Sequence, residues 1–347
     1  MRITFAMPFL NVTGGNRVLF DYADAFHNLG HQVTVVHPLW PYRFHYSRLR
    51  QMRVFVRHLI QGNRVDWYPL KAPLVQVPKL SSPYLPDADL IIACAWPSAY
   101  DLARLSPAKG KQVYFIHHYE IDSGSKEQVD PTYKLPLHRF TGCEAVRREL
   151  LERFGSDAQV IRHGVDLTLF FPEGIPQAWT VVMPYHPDLR KGAADGLEAL
   201  THLQIRHPQL RVRLFGSKAP VQLPDWCSFH TRPSNTQLRR LYSTSGALLY
   251  PSRYEGFGLP PLEAMACGCP VVSTKVGAIP EFTSDGRDAV LVDFGDIEGM
   301  IVGLEQILSD EQTRRCYVAK SLGCAAENST VHSAKNFEQA LEQLLAR

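Results

Sequence analysis

Short apolar runs recur along this chain, each followed by a polar or glycine-bearing break and then by apolar positions at helical spacing. Residues 3–9 are nearly all apolar, the pattern of a strand covered on both faces. Val18, Leu19, Tyr22, Ala23, Phe26 and Leu29 then recur at intervals of three and four, which predicts an amphipathic helix that Gly30 ends. Strand patterns follow at 32–37, 65–70, 90–95, 112–116, 139–143 and 159–162, with a helix over 144–154. The proline-bearing stretch 72–86 reads as loop. After a Pro/Gly break, FFPEGIP, the pattern restarts. Strands are predicted at 180–185, 210–216, 226–231, 247–250, 271–272 and 289–294, and helices at 236–244, 262–266, 295–309 and 331–347. Alternating strands and helices predict parallel sheets. The restart predicts two doubly wound α/β domains, a first over 1–168 and a second over 179–330, joined by a linker over 169–178 and facing each other across a cleft.

A length of 347 residues suits two domains. A composition of 45% hydrophobic and 20% charged residues supplies a real core. No segment approaches the roughly 18 uncharged apolar residues of a membrane span. The amino terminus reads directly as strand and loop, so no signal peptide is expected. Seven cysteines (94, 143, 227, 267, 269, 316 and 324) form no CxxC pair, which favours a reducing cytoplasm and argues against a zinc site. Charge is uneven: residues 1–165 hold 20 Lys/Arg against 14 Asp/Glu, whereas residues 166–347 hold 17 against 20.

Much of the positive charge lies in residues 43–64, where Arg43, Arg48, Arg50, Arg53, Arg57 and Arg64 alternate with apolar residues and no acid. Such a basic amphipathic helix can lie on an anionic membrane surface. It can equally pack by its apolar face and leave its charges in water. Nucleic acid is not expected, because no recognition motif accompanies the charge. Asp87-Ala88-Asp89 precedes its strand instead of following it, so these carboxylates read as solvated and no metal is expected there.

The densest chemistry lies in residues 251–270, PSRYEGFGLPPLEAMACGCP. Glu255 and Glu263, with seven residues between them, fall on the loop and early helix after a parallel strand, the edge where ligands bind in open α/β sheets. Gly256 and Gly258 let the backbone approach a ligand. Amides at the helix start attract phosphate. Carboxylates beside an anion site make sense when the ligand also offers hydroxyl donors, as a nucleotide-sugar does. Acidic capping of an ordinary helix is the plainer alternative. Gly14-Gly15 follow the first strand, either as a tight turn or for backbone approach, without a G-x-G-x-x-G fingerprint. His117 and His118 end another strand, and Arg190-Lys191 precede a helix where a diphosphate could sit.

In these motifs the chain resembles retaining glycosyltransferases of the GT-B fold, glycosyltransferase family 4. The E-x7-E frame from Glu255 to Val272 carries the resemblance. Gly14-Gly15, His117, His163-Gly164-Val165-Asp166, Lys191-Gly192, and Gly277 with Glu281 support it. The resemblance implies catalytic roles for His117 and Glu255. It implies a nucleoside-diphosphate sugar donor, whether UDP, GDP or dTDP, bound by Gly14, Gly15, Arg190, Lys191, Gly256, Phe257, Gly258, Leu259 and Glu263. The base would sit near Gly216, Ser217 and Arg232. A carbohydrate or lipid-linked acceptor, no metal or other cofactor, and return of the helix over 331–347 to the first domain are also implied. Where the family usually has an Arg about five residues before Lys-Gly, this chain has His186, with Arg190 beside Lys191 instead. A nucleotide-sugar epimerase or phosphorylase, or a silent nucleotide-sugar-binding subunit, is the alternative.

Overall fold

The computed structural model describes residues 1–42, 48–121 and 123–347. Two parallel sheets organise them. The first runs β3-β2-β1-β4-β5-β6-β7, with β1 Arg2–Ala6, β2 Gln32–Pro38, β3 Leu74–Val77, β4 Leu90–Ala93, β5 Lys111–Ile116, β6 His138–Thr141 and β7 Gln159–Val160. Helices α1 Gly14–Asn28, α2 Arg48–Gln61, α3 Trp96–Leu102, α4 Lys126–Val129 and α5 Glu144–Phe154 connect them. Strand order reverses between β1 and β4, where Phe5 is paired with Val35 on one side and Ile92 on the other. Central strands such as β4, LIIA, are buried on both faces, which is why they read as unbroken apolar runs.

The second sheet runs β10-β9-β8-β11-β12-β13, with β8 Gln177–Pro184, β9 Arg211–Gly216, β10 Cys227–Thr231, β11 Ser245–Tyr250, β12 Val271–Thr274 and β13 Val290–Val292. Its helices are α6 Ala193–Arg206, α7 Asn235–Ser243, α8 Leu259–Ala266, α9 Ile279–Phe282, α10 Ile297–Ser309 and α11 Glu311–Glu327; α12 Thr330–Ala346 follows. Its core joins Val181, Met183, Leu214 and Leu249 of the sheet to Leu200 and Leu203 of α6 and to Ile301 and Leu304 of α10. The expected fold class, two Rossmann-like doubly wound α/β domains, is the one observed.

The chain divides into Met1–Arg162 with Ser333–Arg347, and His163–His332. The break falls before the expected end at 168 because Val165 pairs with Ser329 and a side chain at Gly164 would strike the Ser329 carbonyl. Residues 169–178 belong to the second unit: Phe170 is fully buried, and Glu173 binds Arg239 and Arg240.

Two local expectations are corrected. Residues 65–70 form no strand; Trp67 donates to the Leu10 carbonyl and Tyr68 to Asp21 instead. The third strand is β3, inside the proline-bearing stretch. Pro73 and Pro78 flank an edge strand there, a place where a missing N–H is tolerated. Gly14-Gly15 open α1 and make no tight turn, because Thr13 accepts the Asn16 amide and caps the helix. Among the described residues, no helix is long and apolar enough to cross a membrane.

Candidate active site

In the second unit the candidate residues gather at the carboxyl edge, where strand order reverses between β8 and β11. After β8 a single helical turn, Leu189–Lys191, is capped by Asp188 and closed by Gly192 at φ +61°. A Cβ at Gly192 would lie 1.9 Å from the Pro251 carbonyl oxygen, so only glycine lets the two loops meet. The Arg190 carbonyl then accepts from the Arg253 and Tyr254 amides at 2.8 and 3.1 Å. These backbone hydrogen bonds fasten the β8 loop to the β11 loop.

This contact sets Lys191 against Glu255. The ammonium donates to both carboxylate oxygens, at 2.8 and 2.9 Å. The Tyr250 and Ser252 hydroxyls donate to Oε1 at 2.7 and 2.8 Å. Glu255 is thus a nearly buried carboxylate held by one cation and two hydroxyls, while Lys191 stays 39% exposed. Burial, followed by the Glu255 charge, raises the Tyr250 phenol well above its usual range; Glu263 adds to the effect. Glu263 is buried in α8 and accepts from Tyr242 at 3.3 Å. Tyr250 and Ser252 escaped the sequence reading because one looks like the end of an apolar strand and the other like loop.

Gly258 caps α8 at φ +89°. Pro260 and Pro261 carry no N–H, so the amide donors before Leu262 are confined to Gly256, Phe257, Gly258 and Leu259. The Phe257 side chain is buried, its ring stacked on Phe282 at 5.3 Å and 4.9 Å from His163. Only its backbone remains for a ligand. Gly277, at φ +56°, lies so close to the Gly256 and Glu255 carbonyls that a Cβ would meet them at 2.5 and 2.8 Å.

Arg190 and His186 turn back into their own loop. The Arg190 guanidinium binds Asp188 at 2.6 Å, and His186 Nδ1 accepts the Asp188 amide at 3.1 Å. The hydrogen bond from Arg190 holds the Asp188 carboxyl down at about 2. On the other side of β8, Gly216 ends β9. Its carbonyl accepts the Arg232 amide at 2.8 Å. Arg232 is exposed and has a left-handed backbone, φ +45°; Ser217 beside Gly216 is also exposed.

The first unit brings Gly15 to His117. A Cβ at Gly15 would stand 3.0 Å from the His117 ring, whereas one at Gly14 would meet nothing. The steric demand for glycine therefore falls on residue 15. Asp87 and Asp89 lie at the opposite, amino-terminal edge and hold Lys109 and Arg2. Among the described residues, no three His, Cys, Asp or Glu side chains converge as metal ligands.

Two parallel sheets whose strand order reverses beside charged, glycine-bearing loops define a GT-B α/β protein. Solved structures agree on that fold. Anabaena HepE in complex with UDP and glucose aligns over 99% of both chains, with a TM-score of 0.76 at 17% identity. Sucrose-phosphate synthase from Thermosynechococcus elongatus aligns over the whole of both chains, with a TM-score of 0.73 at 17% identity. The family model described as Glycosyltransferase Family 4 matches residues 12–169, and that described as Glycosyl transferases group 1 matches residues 169–321. The chain belongs to this glycosyltransferase family. Phosphatidyl-myo-inositol mannosyltransferase of Mycolicibacterium smegmatis is 25% identical over 92% of this chain and 88% of its own. O-antigen chain mannosyltransferase B of Escherichia coli is 36% identical over 30% of this chain, a match that spans only 27% of that protein's length.

Proposed function

We propose that the protein is a metal-independent, retaining hexosyl- or deoxyhexosyltransferase. It takes the sugar from a nucleoside-diphosphate donor and places it on a hydroxyl of a glycan or glycolipid. The observation that carries this reading is Lys191 lying on the Glu255 carboxylate where β8 and β11 meet. A diphosphate entering beside Lys191 competes with Glu255 for the ammonium and frees carboxylate oxygens for sugar hydroxyls. Breaking the anomeric C–O bond leaves negative charge on the departing phosphate. Lys191 and the amides of Gly256–Leu259 stabilise that charge, an electrostatic contribution of about 3 kcal/mol per well-placed donor. The departing phosphate takes the acceptor proton as the acceptor attacks from the same face, so no carboxylate serves as covalent nucleophile. Glu263 receives the ribose hydroxyls, and the base lies near Gly216, Ser217 and Arg232. Roles for Gly14, Gly15 and His117 toward the donor phosphate and the transferred sugar rest on the family resemblance. Relatives named as mannosyltransferases support the sugar class, and a fold neighbour solved with UDP and glucose supports the donor class. The seven cysteines are free thiols, in keeping with work on the cytoplasmic side.

Binding of UDP, GDP and dTDP to the isolated protein tests the donor class, and failure to bind any of them removes the proposal. Lys191→Ala and Glu255→Gln should each lower kcat/KM for transfer about a hundredfold or more while leaving the far-UV spectrum unchanged. A nucleotide-sugar-binding subunit without transfer is the second reading. The Arg190–Asp188 ion pair favours it, because it draws a second cation away from the phosphate position. Sugar transfer by the purified chain excludes it.

A further inference from the structure

Helix α2 turns its apolar side away from the protein. At 3.6 residues per turn, Leu59, Met52, Val56, Leu49 and Ile60 share an arc of about 100°. All five are exposed, Leu49 at 77% and Ile60 at 80%. The opposite side, facing the sheet, carries the polar anchors. His58 is buried and bonds the Pro38 carbonyl through Nδ1 at 3.0 Å, and Gln51 donates to the Pro41 carbonyl at 3.1 Å. Trp40, 56% exposed, stacks on Phe55 at 4.5 Å and widens the apolar surface. Arg53 and Arg57 flank it, both exposed, and Arg64 follows the helix. The sequence has no Asp or Glu between Asp24 and Asp66. A helix packed in the ordinary way would show the reverse arrangement.

We infer that α2 and Trp40 form a docking surface for an anionic lipid bilayer. Charge chooses this occupant. A second copy pairing α2 with itself would set Arg53 and Arg57 against their own kind, with no acid on the helix to answer them. An anionic bilayer answers them with headgroup phosphates while its acyl region accepts the five apolar side chains. Arginines beside such a face extend their heads to the interface, and a tryptophan at the rim suits the same depth. A lipid-carried acceptor would then meet the protein at its own surface. The inference rests on α2 and is independent of the donor chemistry proposed above.

Cosedimentation of the full-length protein with vesicles tests it without reading turnover. Mixed phosphatidylglycerol and phosphatidylcholine vesicles should carry the protein down, and phosphatidylcholine alone should not. Added salt should release it. Leu49→Ser with Ile60→Ser should weaken partitioning about tenfold or more. Arg53→Glu with Arg57→Glu should do the same. All four side chains are exposed, so the fold and nucleotide binding should be unchanged. No sedimentation with the anionic vesicles, or double variants that sediment like the unmodified protein, overturns the inference. So does a dimer in sedimentation equilibrium that Leu49→Ser with Ile60→Ser converts to monomer, since that face then binds a second copy.

Discussion

Glu120 is a buried carboxyl that the proposed chemistry does not use. It follows β5 by four residues, its carboxylate accepts from the Tyr114 hydroxyl, and its amide donates to the Tyr133 hydroxyl oxygen at 3.0 Å. Burial pushes its pKa up to about 7, against the opposing effect of the Tyr114 and Trp96 hydrogen bonds. The folded protein therefore holds a proton that the unfolded chain releases between about 4.5 and 7, so stability falls as pH rises through that window. His37 acts in the opposite sense. Burial lowers it to about 4 while Nε2 bonds the Gly62 carbonyl at 3.0 Å. The unfolded chain binds that proton first, so stability rises between about 4 and 6.5. The two slopes oppose each other in the unmodified protein. Glu120→Gln should expose the His37 slope and stabilise the first unit by a few kcal/mol above pH 7, read by urea titrations across pH. An unchanged profile would place Glu120 outside the titrating set. Tyr250→Phe removes one of two hydroxyls from Glu255 and should cost about 1 kcal/mol of stability. If Glu255 meets the donor, that variant also raises the donor KM.

At the scale of elements, glycines decide which loops can touch. Gly192 carries a left-handed backbone and has the Pro251 oxygen where a Cβ would go. Gly192→Ala should destabilise the second unit by about 3 kcal/mol. It should abolish nucleotide binding even where the fold survives, because the Lys191–Glu255 contact depends on that approach. Gly15→Ala should leave stability nearly intact while displacing the His117 ring, and Gly14→Ala should do neither. Thermal melting together with nucleotide titration separates these cases. The sequence placed most central elements well, since buried parallel strands read as apolar runs and α5 ends at Gly155 as its pattern says. It placed the third strand wrongly, because an edge strand bounded by prolines looks like loop. It missed α3, seven residues long, whose signal is mainly Pro97 in the first turn.

Across the whole molecule, the carboxyl-terminal helix α12 completes the first unit's core. Phe337 is fully buried, with ring centroids 5.1 to 5.5 Å from those of Tyr22, Phe26, Phe115 and Phe140. The His31 ring binds Glu338 at 2.6 Å, and Lys111 donates to the Leu344 carbonyl. The first unit is therefore built from both ends of the chain. Phe337→Ala should cost about 3–5 kcal/mol and shift the unfolding of the first unit selectively, read by hydrogen exchange of β1 and β5 amides against β8 and β11. Equal loss of protection in both units would show that they unfold as one.

The sequence by itself determined two doubly wound α/β units and the strand ends that carry Glu255, Glu263, Lys191 and His117. Those follow from periodicity and from where loops must fall along a parallel sheet. Only the tertiary structure decided which of these groups meet. Glu255 and Glu263, read together from the E-x7-E frame, turn to different partners, Lys191 with Tyr250 and Ser252 for one and Tyr242 for the other. Arg190, read as a phosphate group, and His186, which stands where the family usually has an Arg, turn to Asp188. Helix α2 was legible as amphipathic, but the side on which its apolar face lies depends on the sheet beside it. Periodicity fixes the angle between residues on one element; contacts between distant segments fix which way that element faces.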